Sequence, residues 1–240
     1  MSSEYRVHHT VTKFAFGVEQ RECDILDNVL QKIPVLASLA DQGSLSVTGA
    51  FVYSNADLVH MAPIIKFVTT DTPLFLLVDL PVSENVTRVF ELMDELCVRK
   101  PELCPSQIME GLRHAYREYN PKWGWSDTPS ERYIARQWVA LFALALYSGT
   151  FDMRETKVRH QVYESVLFVM SHPSTFHFSA RTHIKSLYDI RVKPCLTKKQ
   201  DAIIRECVDK YTDGIVERNF HDDEDSPENV NTSSDSDDSD

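Results

Sequence analysis

Residues 128–147 read TPSERYIARQWVALFALALY, and their reading decides the fold. Thr128, Pro129 and Glu131 stand at the N-cap, N1 and N3 positions of a helix. That is the capping-box order: a hydroxyl and a carboxylate serve the N–H groups that have no partner within the helix. The ten residues from Trp138 to Tyr147 are apolar nearly all round, which is the pattern of a buried helix. They fall short of the ~20 that a membrane span requires. Gly149 is placed to end the helix, because glycine accepts the left-handed conformation of a C-cap. The spacing therefore predicts a central helix with the rest of the fold packed around it.

Working outward, helices follow on both sides. SENVTRVFELMDELCVRK offers Ser83 as a cap and places Val86, Val89, Phe90, Met93, Leu96 and Cys97 on one face. PSQIMEGLRHAY offers Ser106 as a cap. ETKVRHQVYESVLFVM repeats the helical period, SHPSTFHF breaks it, and helices are expected near 180–189 and 198–213, the latter capped by Thr197 with Gln200. Before Ser83 the pattern leans toward strands. Residues 5–18 alternate with a break near Thr12, where a bulge is expected. Ile25, Leu26, Val29, Leu30 and Ile33 suggest a helix that Pro34 ends or kinks. Residues 44–53 read as a further strand, and IIKFV and LFLLVDL suit buried strands, though a short apolar run alone does not exclude helix. The expectation is one α+β domain over 1–220, with a small N-terminal sheet in 1–82 packed on a mainly α-helical part in 83–220.

The charge is uneven. The formal net charge is −11, from 36 acids and 25 bases. Residues 221–240 hold nine of those acids and no Lys or Arg, which leaves 27 acids against 25 bases in the body. With few apolar groups, this tail cannot offset the entropy of ordering, so a disordered acidic tail is expected. Thr232 and Ser234 have acids three residues on, and Ser226 precedes Pro227, so these three are phosphorylation candidates. A nearly neutral body disfavours general binding of nucleic acid, which needs cations to displace phosphate counterions. Five widely spaced cysteines and a start without an apolar run of signal length suit reduced thiols in cytoplasm or nucleus. No membrane association is expected.

Catalytic motifs are missing. Cys97 and Cys104 are seven apart, Cys195 and Cys207 twelve, and His160, His172, His177 and His183 lack the tight pairing of zinc ligands. The seven glycines make no phosphate-cradling loop, and neither G-x-S-x-G nor H-E-x-x-H occurs. No catalytic residue, metal or cofactor is assigned. Two features suit partner binding. NPKWGWSDTP sets Trp123 and Trp125 on a turn before the central helix, with Trp125 expected in the core and Trp123 partly exposed. Arg181, Lys185, Arg191, Lys193, Lys198 and Lys199 form a basic stretch opposed only by Asp189. Its alternatives are a solvated face or a docking site for the chain's own acidic tail. The leading reading is a non-enzymatic protein that binds host or cellular proteins. The alternatives are a Cys/His-dependent enzyme and a nucleic-acid-associated regulator.

The stretch GLRHAYREYNPKWGWSDTP, residues 111–129, is similar in position and character to the mid-chain helix and Trp-Pro-type turn of phlebovirus small-segment nonstructural proteins, and the acidic Ser/Asp tail resembles theirs. Here Gly124 stands where that family has proline, and the N-terminal third does not align. The resemblance implies an adaptor in an infected cell that grips a host factor and blunts the innate antiviral response. No functional residue is carried over from it.

Overall fold

The structure, a computed structural model, describes residues 10–120, 124–125, 129–171 and 178–218. The acidic tail with Ser226, Thr232 and Ser234 lies outside the described residues, as do Trp123, Thr128, His172 and His177. The fold is α+β: a small sheet joined to a larger helical assembly. In chain order it runs β1 (Val11–Phe16), β2 (Arg21–Leu26), α1 (Asp27–Leu30), α2 (Pro34–Gln42), β3 (Phe51–Tyr53), α3 (Leu58–Thr70) and α4 (Phe75–Val78). Then follow α5 (Val86–Glu95), α6 (Pro105–Glu118), β4 (Tyr119–Asn120), β5 (Gly124–Trp125), α7 (Pro129–Tyr147), α8 (Thr156–Ser171), α9 (Phe178–Leu187) and α10 (Lys198–Arg218). A π-helical turn, Tyr188–Val192, and a 3-10 turn, Lys193–Cys195, join the last two helices.

The sheet has the order β2-β1-β3, with β1 antiparallel to β2 and parallel to β3. Pairing is continuous from Val11↔Leu26 to Phe16↔Arg21, so the bulge expected near Thr12 is not there. Alternation fails in the sequence for a different reason: Phe14, Ala15 and Phe16 are all buried, so both faces of this stretch are covered. Phe14 packs on Phe51 at 5.7 Å between ring centroids, and Phe16 meets Tyr53 edge-on at 6.4 Å.

Several N-terminal expectations are corrected. IIKFV lies in α3 and LFLLV around α4, so neither run is a strand. In α3 the buried residues Met61, Ile64, Phe67 and Val68 recur at helical spacing. Pro63 sits inside that helix, and its packing outweighs the lost hydrogen bond. Ile25 and Leu26 belong to β2, and Pro34 opens α2 at its first turn rather than ending a helix. Of residues 44–53, only Phe51–Tyr53 is strand; the preceding segment turns at Gly49, φ 76°, and bridges back through Leu45 to Phe51. The cap of α5 is Asn85, whose side chain accepts the Thr87 N–H at 2.9 Å, and not Ser83. At α6 the first helical bond goes from the Ile108 N–H to the Cys104 carbonyl at 3.0 Å, so Cys104 rather than Ser106 takes the cap position.

The helix over 129–147 is central, as its composition requires. Val139, Phe142, Ala143, Leu144 and Ala145 are fully enclosed. Its end is a Schellman motif: the Thr150 N–H reaches the Ala145 carbonyl at 3.0 Å and the Gly149 N–H reaches Leu146 at 3.3 Å, with Gly149 at φ 66°. The capping box of α10 is also present. Thr197 Oγ1 accepts the Gln200 N–H at 3.3 Å, and Gln200 Oε1 accepts the Thr197 N–H at 3.0 Å.

Candidate interaction site

The tryptophan turn is a short hairpin. β4 and β5 pair antiparallel, Tyr119 opposite Trp125 and Asn120 opposite Gly124. The division between a buried Trp125 and an exposed Trp123 concerns side chains outside those described. The frame that carries the hairpin is well defined. β4 continues α6 and β5 leads into α7, and these helices interlock at Gly111. A Cβ on Gly111 would lie 2.2 Å from the Trp138 ring, so only glycine admits this approach. The start of α7 is also pinned to the α3–α4 connection: Gln137 Oε1 accepts the Leu74 N–H at 3.0 Å, and Tyr133 donates its hydroxyl to Thr72 Oγ1 at 3.5 Å. On this frame Tyr133 is 45% and Ile134 55% exposed. They form an aromatic and aliphatic step on α7 just past the hairpin. Sequence reading passed over them, because Tyr and Ile in a helical run read as core.

The basic stretch does not survive as a single surface. Arg181 is 1% exposed and belongs to the core. Its Nη2 donates to the Met170 carbonyl at 2.9 Å, in the last turn of α8, where unpaired carbonyls favour a cation. Lys185 and Lys193 share one acid, Asp189, at 2.9 and 3.9 Å. Arg191, Lys198 and Lys199 are exposed. Beneath them Tyr188 is buried and donates a short hydrogen bond to Asp201, which also pairs with Arg205 at 2.9 Å. Burial, followed by that bond, drives the Tyr188 phenol far above its ordinary pKa, and the same bond holds the Asp201 carboxyl down. This knot joins the π turn to α10, and no local pattern around Tyr188 or Asp201 signals it.

Cys104, Cys23, His60, His160 and His183 lie apart from one another, each in its own surroundings. Cys104 Sγ lies 3.2 Å from Ser106 Oγ, and that hydroxyl and the helix N–H groups lower its thiol pKa. The groups acting on it include no imidazole. Burial raises the Cys23 thiol. His60 meets Glu84 at 3.1 Å, and His160 meets Glu164 at 3.3 Å. His183 is buried, with Nε2 3.5 Å from the Leu80 carbonyl, and burial lowers its pKa. Among the described residues no three His, Cys, Asp or Glu side chains are placed to hold a metal ion, and no helix is long and apolar enough to cross a membrane. In comparisons with family models, curated proteins and solved structures, nothing matches the chain.

Proposed function

We propose that this chain is an interaction protein without catalytic chemistry of its own, and that it grips another protein through the hairpin and the start of α7. One observation carries the reading: Tyr133 and Ile134 stand out from a helix whose later turns, with Val139, Phe142 and Leu144, are core, on a frame locked by Gly111 against Trp138. An aromatic and an aliphatic side chain held rigidly in water suit the centre of a protein interface, because little ordering entropy is lost on binding. The similarity of 111–129 and the tail to phlebovirus small-segment nonstructural proteins directs the proposal to a host factor of the innate antiviral response, met in cytoplasm or nucleus. Affinity purification of the full chain from cells, compared with Ile134→Glu, tests this. Ile134 is exposed, so the variant should fold; it should lose a protein that the parent retains. An unchanged set of retained proteins would sink the reading.

A second reading, thiol chemistry, draws on Cys104, where the Ser106 hydroxyl and then the N–H groups of the helix start favour thiolate. Its test is the rate of alkylation by iodoacetamide at neutral pH, followed residue by residue. If Cys104 reacts no faster than Cys97, this reading fails.

A further inference from the structure

We propose that the acidic end of the chain, residues 228–240, docks in cis on Arg191, Lys198 and Lys199. The first support is the state of the other cations. Lys13, Lys66, Lys100, Arg88, Arg113 and Arg154 each pair with a carboxylate. Among the described residues, Lys32, Arg99, Lys157, Arg191, Lys198 and Lys199 are exposed without such an ion pair, Lys32 donating instead to the Val68 carbonyl at 3.1 Å. Three of these six fall within nine residues, at the start of α10 and the turn before it. This is the stretch of the chain in which exposed, unpaired positive charge is concentrated, and the segment that follows α10 holds nine acids and no Lys or Arg.

The second support is reach. From Lys198 to Arg218, α10 has 21 residues and is about 30 Å long at ~1.5 Å per residue. A chain returning along it needs about ten extended residues at ~3.3 Å each. Asp222, Asp223, Glu224 and Asp225 are too near Arg218 to make that return. Glu228 is the first acid that can, and Asp235, Asp237, Asp238 and Asp240 reach with slack. Tethering sets the local concentration of these acids near the millimolar range, so weak, salt-screened attraction suffices. The contact occupies the bases that a polyanion would otherwise meet.

Zero-length carbodiimide coupling of the full chain at low ionic strength, mapped by mass spectrometry, tests the inference. Lys198 and Lys199 should couple to acids in 228–240 several-fold more often than Lys157 does, and rarely to 222–225. Equal coupling at Lys157, or coupling mainly to 222–225, would overturn it. So would hybrid products at random frequency in an equal mixture of ¹⁵N-labelled and unlabelled chains. Heparin affinity gives an independent reading. Ending the chain after Asp225 should raise affinity about tenfold or more, given the steep dependence of polyanion binding on free cations. Lys198→Glu with Lys199→Glu in the shortened chain should remove that gain. If the gain persists in that variant, it reflects net charge alone and the docking site is wrong.

Discussion

Gly111→Ala should destabilise the protein, although alanine is the better helix former. Two effects of opposite sign meet at this position. Within a helix, alanine is favoured over glycine by about 1 kcal/mol. Against that, the new Cβ would lie 2.2 Å from Trp138 Cδ2 and 2.3 Å from Cε2. These atoms sit in the middle of the ring, so no small rotation of a flexible tip relieves the clash. The indole must retreat by roughly 1.3 Å to restore an ordinary carbon–carbon contact of about 3.5 Å. Overpacking of this kind costs about 1–3 kcal/mol. The net expectation is a loss of up to about 2 kcal/mol, and in a domain of this size each kcal/mol lowers Tm by about 2–4 °C. The decisive measurement is a double-mutant cycle with Trp138→Ala, followed by denaturant unfolding. Without the ring the clash is gone, and Gly111→Ala should turn stabilising by up to ~1 kcal/mol. The reasoning is refuted if Gly111→Ala raises stability in the parent, or if the coupling lies within ~0.5 kcal/mol of zero.

Leu144→Ala, in the enclosed stretch of α7, should cost about 2–5 kcal/mol in the same unfolding assay, and a loss under ~1 kcal/mol would show that the site is not packed as described. Cys97 holds a positive φ of 54° at the end of α5, where the Val98 N–H reaches Met93 at 2.9 Å in a Schellman motif. Cys97→Gly should therefore stabilise by about 0.5–1 kcal/mol, with no gain counting against strain at that residue. The pH dependence follows from His183. Burial lowers its pKa in the folded state, so the folded protein binds fewer protons than the unfolded chain as the pH falls below ~6.5. This contribution to stability is whole above ~6.5 and is lost as the pH falls through the window between 6.5 and the folded value. Unfolding curves from pH 7.5 to 5 should show that loss, and His183→Phe should reduce its slope; an equal slope in the variant would remove His183 as the cause.

The helical part was legible because its signals are local. The box Thr197–Gln200 and the stop at Gly149 are short-range patterns whose meaning does not depend on the rest of the fold. The N-terminal part was harder for a physical reason. IIKFV contains no polar residue but Lys66, and with Pro63 beside it the run has neither a clear period of 3.6 nor one of 2. Its helical identity comes from Met61, Ile64 and Phe67 packing together, which is tertiary information. The same holds for Phe14-Ala15-Phe16, where burial of both faces removes the alternation that marks a half-exposed strand. Tyr133 and Ile134 show the converse limit. Their helix was read correctly, but which of its residues face solvent depends on where the α3–α4 connection ends against Gln137.

The basic stretch shows how a count of charges misleads, and why the surviving cluster is smaller than the sequence suggests. Six bases against Asp189 read as a surplus spread over one surface. Arginine, however, remains charged when buried if carbonyl oxygens receive its N–H groups, and the end of α8 supplies one in Met170. Arg181 thus acts as a cap from inside the core, so no partner can use it. Asp189, at the π turn between α9 and the 3-10 turn, sits where Lys185 from one side and Lys193 from the other both reach it, so one acid restrains two bases. What is left is Arg191 with Lys198 and Lys199. A surplus of that size is too small to hold nucleic acid tightly by counterion release, since each neutralised phosphate adds only one released ion to the salt dependence. It is, however, matched to a tethered acidic segment, for which the cost of bringing the two together is met by the covalent chain. The residues of the basic stretch therefore divide into a core cap, a structural ion triad and a small cluster with the right charge and reach for the end of the same chain.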